Sequence, residues 1–177
     1  MRSFWVRLLS IGTLSYLFLA PVSAQQPATP GPEHAVLKLL EGEWDAVIKA
    51  GGSESKAVSK MRMGLGGLWL ITDFRGDAGG LPFEGHGIDG YDQDKKKFTS
   101  IWVDSMSSGP MFFEGLYDEK TKTLTMHGDG KGPDGKAARY KSTSISPDDD
   151  HHVFEMYVID AAGKEQRMMT INYTRKK

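Results

Sequence analysis

From Trp44 onward, apolar side chains fall at every second position, as at Trp44, Ala46 and Ile48, at Leu68, Leu70 and Phe74, and at Phe98 and Trp102. That period is the repeat of a strand with one buried face. Gly, Pro or Asp interrupts it at Gly51-Gly52, Gly66-Gly67, Gly79-Gly80, 92–95, 118–122, 133–135, 147–150 and 160–163. Each interruption is a turn signal, so the pattern predicts about ten strands joined mostly by short hairpins, an up-and-down antiparallel meander. No helical pattern long enough to carry a parallel crossover follows Leu40, which argues against an α/β fold. The one helical spacing is Ala35, Val36, Leu39 and Leu40 within Glu33 to Leu40, with Gly42 as its stop. It predicts a short helix that plugs or abuts the sheet.

A meander of this length can stay open, fold into a sandwich or close into a barrel, and closure alone removes every exposed edge. Gly42 and Trp44 open the first strand and Arg175 ends the last. In a barrel those two strands pair, so the guanidinium can stack on the indole at one end. The fold expected is an all-β, antiparallel, closed barrel, with Gly42, Trp44 and Arg175 as its structural closure.

Ahead of the barrel, Arg2 and Arg7 flank an apolar run from Leu8 to Ala20, and Val22-Ser23-Ala24 supplies small residues for cleavage. This is the layout of a secretory signal peptide over residues 1–24, and the apolar run is shorter than the roughly 20 residues of a membrane span. Residues 25–32, rich in Gln, Pro, Ala, Thr and Gly, read as a flexible leader, and 33–177 as one domain. The expected protein is periplasmic or secreted, with no membrane anchor after signal removal. Cysteine is absent, which excludes disulfides, thiolate chemistry and Cys-zinc sites. Removing the signal takes two arginines from 22 basic residues and none of the 23 acidic ones, leaving a charge of -3 and no basic field for nucleic acid.

Gly42-Glu43-Trp44 after a short helix, with Arg175 in the closing strand, resembles the calycin superfamily of lipocalins, fatty-acid-binding proteins and nitrobindin-like haem barrels. The longer order Gly66-Gly67-Leu68-Trp69, Gly90-Tyr91-Asp92, Trp102 to Met106, Glu114-Gly115 and Tyr173-Thr174-Arg175 is similar to that of a bacterial family of unknown function with a calycin-like barrel. The resemblance spans residue 33 to the end and implies the fold. It carries over no catalytic residue. A nitrobindin-like barrel places one proximal histidine in a late strand, whereas the closing strand here has none; His151 or His152 is the nearest substitute. No cofactor is therefore expected, with haem the remaining alternative.

Trp102 and Asp104 share a strand face, and Glu114 belongs to the next strand, so the three are expected to form a polar patch if they point inward. Tyr91 and His86 complete the candidate lining. The competing reading makes Asp104 a cap on the turn at Ser105 to Gly109 and leaves Glu114 in solvent. Eight methionines between Met61 and Met169 suit either a filled core or an adaptable apolar cavity. The expected function is binding of a small, largely apolar molecule inside the barrel. Catalysis by Asp104 or Glu114 as acid or base, and a filled barrel acting as an interaction module, are the alternatives.

Overall fold

A computed structural model describes residues 27–132 and 135–177. The expected signal segment therefore lies outside the described residues. The order is a helix α1 (His34–Lys38), then β1 (Gly42–Ala50), β2 (Ser53–Gly64), β3 (Trp69–Asp77), β4 (Pro82–Asp92), β5 (Lys97–Asp104), β6 (Met111–Asp118), β7 (Thr123–Lys131), β8 (Ala137–Ile145), β9 (His151–Ile159) and β10 (Glu165–Arg175). Every strand pairs antiparallel with its chain neighbours and β1 pairs with β10, so the ten-stranded sheet is closed. Among the described residues no helix is long and apolar enough to cross a membrane.

The turns form where Asp or Gly can make them. Asp92 accepts hydrogen bonds from the Asp94 and Lys95 amides, Asp118 from Lys120 and Thr121, and Asp160 from Ala162 and Lys164. In each case a carboxylate stands in for a turn carbonyl and fixes the hairpin without neighbours from elsewhere in the chain. Gly51 and Gly52 at the β1–β2 hairpin both adopt positive φ, 57° and 81°, which a side chain would oppose.

Register assigns the faces. Pairing Trp44 with Arg175, Ala46 with Tyr173 and Ile48 with Ile171 puts these residues inside, and the same parity carries around the sheet. The inner surface has two unlike ends. At the end where β1 begins, Trp44, Leu70, Phe98, Leu124 and Tyr173 are all buried. α1 packs over this end against β2, β3 and β4, with Leu37 1 % exposed. Trp44 Nε1 donates to the Leu40 carbonyl at 2.9 Å, and the Met63 amide donates to Glu41 at 3.0 Å. At the opposite end the inward residues Ile48, Phe83, Trp102, Met111, Val158 and Met169 are only half-buried. One end of the barrel is thus closed by helix and tryptophan, and inward side chains keep exposed surface near the hairpins at the other.

The helix is shorter than the Glu33 to Leu40 expected, and Gly42 is the first residue of β1 rather than a helix stop. Tightening turns carry the chain on, with the Leu40 amide donating to Leu37 and the Glu41 amide to Lys38. Ahead of the helix, the Thr29 carbonyl accepts from Gln93 Nε2 at 3.3 Å.

Candidate functional site

The open end is organised around Trp102. Its indole lies across β4 rather than into the lumen, because β4 supplies glycine at the two inward positions beneath it. Gly87 is the cross-strand partner of Trp102 and Gly85 that of Asp104. A Cβ on Gly85 would overlap the indole, and one on Gly87 would sit 3.4 Å from it. Phe74 meets the same ring edge to face, with centroids 6.2 Å apart. The indole N–H donates to Asp104 Oδ2 at 2.9 Å, while Asp104 Oδ1 accepts the Met106 amide at 2.9 Å. Asp104 therefore holds the tryptophan and caps the following turn at once, with both oxygens committed.

Glu114 and His86 do not line the barrel as expected. The β5–β6 register pairs Thr99 with Glu114, which gives Glu114 the parity opposite to Trp102 and Asp104. It lies on the outer face with Lys95 and Lys97, whose hydrogen bonds hold its carboxyl below the usual range. His86 pairs with Val103 and Asp73, also outside, and its Nδ1 is 2.7 Å from the Asp73 carboxylate. A period of two tells which residues of one strand share a face; which parity joins them on the next strand is set by the turn between. Tyr91 does point inward, at the closed end, edge-on to His34 and 5.1 Å from Phe98 between ring centroids. Burial and the neighbouring Glu33 raise its phenol pKa.

At the closed end the Arg175 guanidinium lies over the Trp44 ring at 4.1 Å and donates to three backbone carbonyls, Glu41 and Asp149 at 2.6 Å and Leu39 at 3.0 Å. Gly42 leaves room for it, since a Cβ there would overlap the guanidinium.

Between the two ends lies a set of inward polar residues that period and motif reading missed. Asp89 pairs with Leu70 on one side and Ser100 on the other, so its carboxyl faces the interior. Burial pushes it up to about 6, with Ser100 pulling the other way. Tyr173 faces it from β10; burial and the charge of Asp89 raise its pKa. His152, 4 % exposed, stacks obliquely on Tyr173 at 4.9 Å and meets Trp44 at 6.3 Å. Burial lowers its pKa to about 4, so it is neutral in the folded protein at physiological pH. The one signal for Asp89 was an acid flanked by Gly87 and Gly90 at an inward parity, a parity the sequence leaves undetermined. His151 is outside, 2.9 Å from Asp148. Among the described residues no three ligating side chains gather at a point suited to a metal ion.

The fold is a closed, calycin-like ten-stranded barrel with Trp102 on its inner wall. The chain belongs to the DUF1579 family, described as proteins of unknown function, whose model matches residues 29–175. No curated protein sequence matches it. Two of the solved structures that share the fold illustrate the likeness. One is Rv2717c from M. tuberculosis, at TM-score 0.58 and 15% identity, covering 83% of this chain and 99% of that one. The other is the S-type phycobiliprotein lyase CPES from Guillardia theta, at TM-score 0.54 and 9% identity, covering 82% of this chain and 93% of that one.

Proposed function

We propose that this protein binds a small, largely apolar molecule in a cup at the hairpin end of its barrel, without a resident cofactor. The observation that carries this reading is the exposure of inward apolar side chains near the hairpins, where Ile48, Phe83, Trp102, Met111, Val158 and Met169 are only half-buried although they face the interior. The exposed inner wall is Trp102, Phe83, Met111, Met156, Val158 and Met169, an aromatic and thioether surface that adapts to varied apolar shapes. Holding Trp102 flat over Gly85 and Gly87 keeps the lumen clear, and its bond to Asp104 removes the need for a ligand to satisfy the indole N–H. Both Asp104 oxygens already accept a hydrogen bond from the protein and Glu114 sits outside, which favours binding over acid–base catalysis by this pair. The fold likeness to a phycobiliprotein lyase agrees with a barrel that handles a small molecule.

The test is native mass spectrometry on protein purified without refolding, followed by titration with 1-dodecanol while tryptophan emission is recorded. A bound adduct, or a dodecanol-dependent change that disappears in Trp102→Phe, supports the cup. If no adduct is found and the emission of Trp102 neither responds to dodecanol nor is quenched by acrylamide, the interior is filled and the reading fails. Export to the periplasm or medium, supported by the layout of residues 1–24, is checked by sequencing the N-terminus of the secreted chain, expected at Gln25.

A second reading rests on the outer wall. Ile88, Ile101 and Phe112 stand in register across β4, β5 and β6, at 39%, 37% and 58% exposure, with Val103 and Leu116 nearby. Such a row suits contact with another protein surface. Light scattering on Phe112→Lys against the parent chain tests it: an unchanged molar mass in both dismisses self-association through this row.

A further inference from the structure

Resting on the cup reading, we propose that Asp89 is the polar floor of the cup and receives the head group of a cationic amphiphile, an amine whose apolar tail lies along the Trp102 wall.

Charge inside the barrel is sparse. Among the described strand residues of inward parity, the permanently charged types are Asp89, Asp104 and Arg175. Asp104 is satisfied by the Trp102 indole and the Met106 amide. Arg175 is satisfied by three carbonyls at the closed end. Among the described residues no cation stands beside Asp89, and its hydrogen-bonding neighbour is the Ser100 hydroxyl. Among the described residues the interior thus carries one carboxylate without a neutralising partner. A buried carboxylate without a partner is costly, and a positive donor entering from the cup removes that cost.

Space and geometry agree with the charge. Asp89 is half-buried by surface area although its side chain faces inward, so the surface it keeps is turned to the lumen. On the same inner surface Ser59, 2 % exposed, has a hydroxyl with no hydrogen-bond partner among the described residues. The charge of Asp89 also reaches the inward Tyr173 phenol. An inward carboxylate with one hydroxyl beside it matches an ammonium donor better than it matches a second carboxylate, which would meet Asp89 as a like charge. The raised carboxyl pKa is what the absence of a counter-charge produces, and a bound amine would lower it again.

Three probes of equal chain length separate the possibilities: dodecylamine, 1-dodecanol and dodecanoate, each below its micelle concentration, titrated into the full chain at pH 7.5 by calorimetry. Dodecylamine is expected to bind at least tenfold tighter than dodecanol, and dodecanoate more weakly than both. In Asp89→Asn the amine advantage is expected to fall to within about twofold, with dodecanol affinity unchanged, which also reports that the variant is folded. Equal binding of all three probes by the parent chain overturns the role of Asp89 and leaves the cup reading standing, and needs no variant. An amine advantage that survives in Asp89→Asn overturns it too, and failure of all three to bind overturns both.

Discussion

Arg175 lies 4.1 Å over the ring of Trp44, and the two are direct cross-strand partners at the seam where the last strand meets the first. The same guanidinium ties down Leu39 and Glu41, on the approach to β1, and Asp149, in the turn before β9. One side chain thus joins helix, seam and turn.

Trp44→Ala should lower stability by about 3–5 kcal/mol, the range for truncating a buried aromatic residue. Arg175→Lys keeps the charge but loses the planar fork, and a loss of about 1–2 kcal/mol is expected. Urea denaturation followed by circular dichroism measures both. An Arg175→Lys midpoint equal to that of the parent would show that charge alone closes the seam.

Gly85 and Gly87 should respond unequally to alanine. Gly85→Ala must displace the Trp102 indole and is expected to cost about 1–3 kcal/mol and shift the tryptophan emission. Gly87→Ala meets Thr72 and the indole at 3.3 and 3.4 Å, so a smaller shift is expected. Identical emission spectra for both variants would mean that the indole does not rest on β4.

Asp104→Ala removes the acceptors of the indole N–H and the Met106 amide, and about 1–2 kcal/mol should be lost. Glu114→Ala, on the outer face, should cost well under that, its lysine pairs being solvent-exposed. Equal losses in chemical denaturation would argue against this division between inside and outside.

Asp89 and His152 should drive stability in opposite directions as pH changes. The Asp89 carboxyl, raised to about 6 from 3.8, binds its proton more tightly folded than unfolded, so its contribution is fully present below pH 4 and falls as pH rises through 6. His152, lowered to about 4 from 6.5, resists protonation when folded; its contribution is present above pH 6.5 and is lost as pH falls through 4. Each shift corresponds to about 3 kcal/mol, so over pH 4 to 6.5 the two nearly cancel. Asp89→Asn should be more stable than the parent above pH 6 by about that amount, the gap closing near pH 4. Denaturation midpoints at pH 4, 5.5 and 7 measure it, and a constant gap would place the carboxyl in a hydrated setting.

The alternation at Trp44, Ala46 and Ile48 and the Asp and Gly turn residues made the strands legible, because both signals are local: parity within a strand is fixed by backbone geometry, and an Asp-led turn is built from its own amides. The seam was legible through Trp44 and Arg175, since closing a meander leaves its first and last strands no other partner. Trp102 and Asp104 were paired correctly because they share one strand. Glu114 was misplaced because relating one strand's parity to the next requires the register across a turn, and six residues between β5 and β6 leave that open; His86 lies five residues from the inward Tyr91 on β4, a spacing that sends the two to opposite faces.

By itself, then, the sequence determined an antiparallel meander of about ten strands, the positions of its turns and the two residues that seal it, all consequences of short-range backbone and side-chain chemistry. Only the tertiary structure decided which parity faces inward. That choice put Asp89, His152 and Tyr173 inside, sent Glu114 and His86 out, and left one end of the barrel open. It is a global property because the closed sheet has a single inner surface, and the burial of Trp44 at the seam fixes the orientation of every strand around it.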